Sequence, residues 1–383
     1  MGGPMAQQVL DPRTSERRRL LQHLDVVLLG STVCVALLGV VMVYSATQAK
    51  QQVLGVDPHF YLKRQAVFVA LGLVAMIFTA AVDYHKFEEL GALAYLGVVG
   101  GLALVMSPFG SVAKGSQRWF QLGSFQLQPS AFAGVAVILV VATLCCRARR
   151  GIDLRRLGVV LFLAGLPMGL VVLQPDLGTA LVLGVILLTM LFVAGARGRH
   201  LAVLGLLVVF AVAAVVHLGM LKRYQVERLT AFYDQQHTNQ QATYNLKQSE
   251  TAIGAGGPFG RGLFHGTQTN LAYVPEQHTD FIFTAVGEQL GFIGGATLLA
   301  LFGIIVWRVW RTAQLSRDAL GALLCAGVLG MVTVSVFENA GMTMGILPIT
   351  GIPLPLMSYG GSAVIATLAA LGLVMNVGMR RFR

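Results

Sequence analysis

The chain has 383 residues, of which 55% are hydrophobic and only 12% are charged, and its mean hydropathy is +0.71. Soluble domains carry about 25% charged residues, so this composition excludes an ordinary soluble protein and predicts a membrane-embedded one. The formal net charge of +11 does not indicate nucleic-acid binding, because the basic residues lie in short clusters between apolar runs.

Ten apolar runs are long enough to cross a bilayer as helices. The division between the fifth and sixth runs is the weakest, because Gln174-Pro175-Asp176 could instead interrupt one broken element. The sequence therefore predicts an all-α, polytopic membrane protein of about ten transmembrane helices, forming one domain over residues 1–383. The runs are 24–46, 64–82, 87–107, 129–146, 157–173, 177–195, 201–221, 281–307, 319–341 and 359–378.

Arginine clusters set the predicted orientation. They precede the first run and follow the fourth, sixth, eighth and tenth runs, so ten spans place every cluster on one side. By the positive-inside rule that side is the cytoplasm, and both termini of this inner-membrane protein are predicted to lie there. The 83–89 loop is assigned to the cytoplasm by parity alone, because its net charge is negative.

The same count places four polar connections on the extracytoplasmic side: 47–63, 108–128, 222–280 and 342–358. The largest, 222–280, joins spans 7 and 8, and loops of about sixty residues are usually functional or disordered. Its aromatic content predicts that part of it packs. Most unusual polar sequence is therefore expected on the outer face.

Asp280 ends this loop and enters the eighth run. A carboxylate at a transmembrane helix centre costs about 2.5–3.5 kcal/mol, and less near the interface, so an ionisable residue there is a functional candidate. The alternative is a helix N-cap. Nearby, the glycine-rich segment 254–262 could cradle a phosphate, although tight turns are favoured.

Two further segments and a set of cations are candidates on the outer face. The break at 174–179 predicts a cavity-lining site, or else Asp176 simply caps the next helix. The uncharged segment 341–362, rich in proline and glycine, predicts a cavity floor or a rigid connector. Cations that could neutralise a pyrophosphate, or only contact lipid headgroups, are Lys63, Arg64, Lys114, Arg118, Lys222, Arg223 and Arg228.

Together these motifs resemble the SEDS (shape, elongation, division and sporulation) family of peptidoglycan polymerases, over nearly the whole chain. Leu177 and the run 348–355 are most similar to its elongation members, with division members the nearest relatives. The motifs are Arg118-Trp119, Gln128-Pro129-Ser130, Gln174-Pro175-Asp176-Leu177-Gly178-Thr179-Ala180, Gln248-Ser249, Gly266-Thr267-Gln268, Pro275-Glu276, His278-Thr279-Asp280-Phe281-Ile282-Phe283 and Asn339 through Ser362.

The resemblance implies a glycosyltransferase that joins lipid II into growing glycan strands on the outer face of the cytoplasmic membrane, with Asp280 as the essential acid and general base. It implies a class B penicillin-binding protein and other elongation-complex membrane proteins as partners, and a divalent cation, Mg²⁺ or Mn²⁺. The expected substrate-binding residues are Lys63, Arg64, Lys114, Arg118, Gln174, Asp176, Arg228, Gln248, Ser249, Glu276, His278 and Ser358.

The chain departs from the family pattern at two positions. Family members carry Glu and Lys where this chain has Ala131 and Gly134, so an intramembrane acid–base pair is missing. Glu338 stands where the family usually has an apolar residue, which makes it a candidate compensating acid facing the bundle. The alternative is a drift of two buried positions to small residues.

Two other functions fit the same sequence. A flippase that moves lipid II would share the many spans and broken helices, but it should place polar groups on both membrane faces. A non-catalytic scaffold that activates a class B penicillin-binding protein would fit the missing acid–base pair.

Overall fold

The computed structural model describes residues 23–113, 116–123, 125–147, 152–217, 226, 228 and 241–381; Lys114 and most of the segment 218–240 lie outside them. The chain is mostly helical, as predicted, and a helix coincides with each of the ten apolar runs. The helices are α1 Val26–Val53, α2 Phe60–Ala81, α3 Tyr84–Val105, α4 Pro129–Cys146, α5 Leu154–Leu173, α6 Leu177–Val193, α7 Gly198–His217, α8 Gln241–Gly256, α9 Thr267–Asn270, α10 Ile282–Gln314, α11 Ala319–Thr343 and α12 Gly361–Arg380.

Within the described residues, eight helices are long and apolar enough to cross a membrane. Two shorter apolar stretches are α6, Leu177–Val193, and the part Gly198–Leu207 of α7. The 157–195 region forms two helices rather than one broken element, because the Asp176 side chain accepts a hydrogen bond from Thr179 N (3.3 Å) and starts α6. A multi-pass helical protein is therefore confirmed, while the count of ten spans stays a prediction.

A small antiparallel sheet between α3 and α4 was missing from the all-α prediction. Its strands are β1 Ser111–Ala113, β2 Ser116–Leu122 and β3 Phe125–Leu127, in the order β1-β2-β3. The outer strands have three residues each, which is too short for the alternation of side chains that reveals a strand in a sequence.

Helices α2 and α12 pack closely although they are far apart in the chain. A methyl group added at Gly372 would lie 2.4 Å from Met76 O, so the absence of a side chain there permits the close approach. Small residues at such contacts are typical of helix packing in membranes. The Thr79 hydroxyl donates to Ala369 O across the contact (3.0 Å).

Helix α10 is kinked at Gly291, whose φ is +67°. The preceding residues 257–262, here called the glycine clip, supply the hydrogen bonds that the kink removes. Phe292 N donates to the carbonyl at the start of the clip (2.8 Å), and Arg261 N donates to Glu288 O (2.9 Å). Backbone groups of the clip are thus used within the fold, which favours the tight-turn interpretation over a phosphate cradle.

Charged pairs join the helix ends that were predicted to be cytoplasmic. Arg147 lies 2.7 Å from Glu88, and Arg380 lies 3.5 Å from Asp83. The negative charge of the 83–89 loop is therefore balanced by arginines from two other helix ends. These arginine partners account for the acidic residues of a loop that was predicted to lie on the arginine-rich, cytoplasmic side.

Candidate functional site

Asp280 lies just before α10, at the end of the bundle opposite to these pairs. Helix α10 has Phe281 at its N-cap position, with no side-chain capping bond, so the helix-cap interpretation of Asp280 is wrong. The backbone carbonyl of Asp280 accepts a hydrogen bond from Asn339 Nδ2 (2.8 Å), which also donates to Ile352 O (2.8 Å). Asp280 itself remains partly exposed. The backbone of Asp280 is thus held in place, and the residue is not fully buried.

Two charged side chains flank Gly351 in the segment between α11 and α12. A methyl group added at Gly351 would lie 3.3 Å from Asp280 Oδ2 and 3.2 Å from Arg228 Nη1. The Arg228 guanidinium also donates to Thr350 O (3.3 Å). The fold therefore brings together an acid and a cation that are 52 positions apart, as a proton acceptor beside an anion-binding group would require.

An aromatic patch adjoins this charged pair. The ring of Tyr61 lies 4.9 Å from those of both His278 and Tyr359, and Tyr359 N donates to His278 O (2.9 Å). Arg64 and Glu276 are close enough to act electrostatically on Tyr61. Sequence reasoning selected three of these residues but missed both tyrosines, although Tyr359 lies within the Asn339–Ser362 motif, because interfacial aromatic residues are commonly membrane anchors.

Two other predicted cations are engaged elsewhere. Lys63 pairs with Asp57 (2.8 Å), and this hydrogen bond holds the pKa of Asp57 below its ordinary value. Arg118 donates to the carbonyl of Gln174 (2.9 Å) and lies 3.5 Å from Asp176. Arg118 thus fastens the small sheet to the break between α5 and α6.

Four of the predicted substrate-binding residues are buried and hydrogen-bonded: Gln174, Asp176, Ser249 and Ser358. Gln248 is half-buried, and Glu276 is exposed. The buried contacts are Gln174 Nε2 to Leu102 O (2.9 Å), Ser249 Oγ to Thr343 O (2.6 Å), and Leu354 N to Ser358 Oγ (2.8 Å). Because Gln174 and Ser249 hydrogen-bond to the backbone of neighbouring elements, they hold the helices around the site in place.

A cavity of about 100 Å³ lies in the bundle, and its lining includes Ala131, Gly134 and Ser335. The first two are the positions at which an acid–base pair was expected from the sequence. A methyl group at Gly134 would already lie 3.3 Å from the side chains of Ile186 and Met331. The neighbouring side chains are therefore packed for a small residue, and a lysine there would force them to move.

Glu338 lies on α11 one turn from Ser335 and is 6% exposed. It neighbours Thr350. Within the part of the chain that the structure describes, Glu338 Oε1 and Thr350 Oγ1 are both buried without a hydrogen-bond partner. The acid therefore stands beside the segment that carries Gly351, rather than in the lining of the cavity.

The described residues do not form a metal centre of their own. No three His, Cys, Asp or Glu side chains among them come together as ion ligands, and the group placed beside Asp280 is the cation Arg228. The described residues thus do not fit a divalent-cation site built from side chains alone.

Comparison with known proteins gives consistent matches over the whole helical region. The FtsW/RodA/SpoVE family model, described as "Cell cycle protein", matches residues 26–382. The chain is 37% identical to peptidoglycan glycosyltransferase MrdB of Escherichia coli K12, covering 93% of this chain and 95% of that protein. It is 36% identical to the probable peptidoglycan glycosyltransferase FtsW of Geobacter metallireducens, covering 94% and 96%.

A solved structure matches the fold as well. One chain from a study titled "Structural coordination of polymerization and crosslinking by a peptidoglycan synthase complex" superposes with a TM-score of 0.78 at 31% identity. It covers 94% of this chain and 99% of that one.

Proposed function

The chain belongs to the FtsW/RodA/SpoVE family of cell cycle proteins, and from that membership we propose that it is a peptidoglycan glycosyltransferase acting at Asp280. Its relatives in this family carry that activity in their names, and the alignments cover more than nine tenths of both chains. The observation that carries the assignment of the site is the position of both Asp280 and Arg228 next to Gly351.

In the proposed reaction Asp280 is the general base. Its carboxylate takes the proton from the 4-hydroxyl of the acceptor sugar, and that oxygen forms a bond to C1 of the donor sugar. The bond between C1 and the phosphate oxygen breaks, and the lipid pyrophosphate leaves with the electron pair. Arg228 faces the developing negative charge, which a positioned cation stabilises best in a site with little water.

The remaining predicted substrate contacts within the described residues fall into three groups. Arg64 and Glu276 lie near the aromatic patch, and His278 is part of it. All three are proposed to contact the saccharide. Lys63 and Arg118 have partners in the fold, so they contribute to the outer surface rather than to the reacting centre. Gln174, Asp176, Gln248, Ser249 and Ser358 support the site through packing, while Lys114 remains a prediction outside the described residues.

Glu338 is proposed as the compensating acid. Its burial beside Thr350, with an unpartnered oxygen, supports a role near Gly351 and thus near Asp280. A buried carboxyl oxygen without a hydrogen-bond partner is costly, so packing alone does not account for Glu338. On this proposal Glu338 supplies the missing acid, so Ala131 and Gly134 do not indicate a loss of activity.

The cellular setting follows from the same family. We propose the elongation machinery, on the strength of Leu177 and the run 348–355, although division relatives match the chain as closely. A class B penicillin-binding protein is the proposed partner, because the matched structure comes from a complex of polymerization and crosslinking. The site is proposed to face the outside of the inner membrane, with any divalent cation bound largely by the substrate's phosphates.

The test uses purified full-length protein with fluorescent lipid II, with and without the penicillin-binding protein. Wild type should produce glycan strands, and Asp280→Asn should produce none while retaining the wild-type melting temperature. Full activity of Asp280→Asn would remove the general-base assignment. Transbilayer movement of lipid II without product would favour the flippase, and neither outcome would favour the scaffold.

A further inference from the structure

A fully buried carboxylate that the proposed reaction does not use lies below the Asp280 loop. Glu288, on the first turns of α10, has no exposed surface. Its two oxygens accept three hydrogen bonds: from Gln268 N (2.7 Å), from Thr269 N (2.9 Å) and from the Thr269 hydroxyl (2.6 Å). It is therefore satisfied by the polar groups of α9 rather than by a cation.

The hydrogen bonds continue from Thr269 to the loop that carries Asp280. Gln277 Nε2 donates to the Thr269 hydroxyl (3.0 Å) and to the Thr284 hydroxyl (3.1 Å). The Thr284 hydroxyl in turn donates to Phe281 O (2.7 Å). Gln277, Thr269 and Thr284 are all at most 4% exposed. Gln277, three positions before Asp280, and Phe281, directly after it, are thus both fixed to the same buried network.

The donor direction is consistent along the whole chain of bonds. The Gln277 amide donates to the Thr269 hydroxyl, and that hydroxyl donates to the carboxylate of Glu288. A charged acceptor at the end of such a chain strengthens each bond in it, and buried polar networks hold one conformation when every member is satisfied. Glu288 is the only ionisable member of this set, so the network depends on it.

We propose that Glu288 is a positioning residue for the reaction, acting on Asp280 through Thr269 and Gln277. The proposal rests on the proposed function, because it assumes that Asp280 performs the chemistry. Glu288 itself touches no exposed surface and is not a catalytic residue. Losing one link should let the Asp280 loop move, and displacement of a reacting group by about 1 Å can cost about 100-fold in rate.

The direct test is Glu288→Gln, which keeps the shape but turns one accepting oxygen into an NH₂ group facing N–H donors. We expect kcat for lipid II to fall at least about 10-fold with KM nearly unchanged. Thr269→Val, which removes the hydroxyl at nearly constant volume, should show the same loss. Thr269→Ser, which keeps the hydroxyl, should restore most of kcat.

The control is Thr312→Val on the same helix, where the buried hydroxyl bonds only within α10 (2.9 Å to Arg308 O). It should change stability but not kcat per folded molecule. Wild-type kcat in both Glu288→Gln and Thr269→Val would overturn the proposal, as would equal losses in Thr269→Ser and Thr269→Val. If Asp280→Asn is fully active, the general-base assignment on which this proposal rests fails, and this outcome is separate from the other two.

Discussion

Replacing Gly351 with alanine should separate catalysis from stability. Gly351 has φ +78°, and an added methyl group would lie 3.3 Å from Asp280 Oδ2 and 3.2 Å from Arg228 Nη1. Both distances are tighter than ordinary contacts, so the two charged groups must shift by a few tenths of an ångström. The backbone conformation adds a cost of about 1–2 kcal/mol for a residue with a side chain.

Gly55→Ala is the matched control. Gly55 has φ +67°, but a methyl group there would meet nothing within 4 Å. The two variants should therefore lose similar amounts of stability, measured as melting temperature in the same detergent. Only Gly351→Ala should also lose activity, by about 10-fold in kcat with fluorescent lipid II, because displacement of reacting groups is costly.

Two results would contradict the role assigned to Asp280 and Arg228. If both variants polymerise lipid II at the wild-type rate per folded molecule, Asp280 and Arg228 are not a catalytic pair arranged around Gly351. If both lose activity equally, the loss comes from backbone strain and not from the contact with the two charged groups.

Three further outcomes are expected. Glu338→Gln removes the buried acid at constant volume and should lower kcat about 10-fold. An unchanged rate would exclude a role in the reaction and limit Glu338 to packing. Arg118→Ala should destabilise the protein by about 2–3 kcal/mol, because it removes charged hydrogen bonds to the 174–176 break, and Arg118→Lys should fall between it and wild type; a wild-type melting temperature in Arg118→Ala would contradict this. Burial raises the pKa of Asp83, but hydrogen bonds from His85 outweigh it and hold the pKa below the ordinary 3.8. The stability advantage of wild type over Asp83→Asn should therefore be full above about pH 4 and shrink as the pH falls below it, and a difference that does not vary with pH would contradict the assignment.

The helices could be predicted from the sequence because the bilayer imposes a strong constraint. A backbone that crosses hydrocarbon must satisfy its own hydrogen bonds and carry an apolar surface, and this requirement is visible in each run. The break at Gln174-Pro175-Asp176 was predictable for the same reason, since only a lined cavity or a helix end tolerates it. Asp280 was found because a carboxylate at that boundary is unusual.

The pairings within the site could not be predicted in this way. Nothing in the local sequence indicates that Arg228 lies beside Asp280, because the contact depends on how Gly351 is placed by a third segment. Glu288 was overlooked because its partners, in α9, belong to a short helix within a long loop. The kink at Gly291 was hidden for a related reason: its hydrogen bonds come from the glycine clip rather than from its own helix.

The contact between α2 and α12 bears on how the protein is made. It joins Thr79 to Ala369, 290 positions later in the chain, and closing so long a connection is slow. Membrane helices enter the bilayer in the order of their synthesis. The face of α2 that contacts α12 is therefore exposed to lipid until translation is almost complete. A nascent chain stopped before Gly361 would leave that face uncovered, and we expect cellular proteases to remove it rather than let it accumulate.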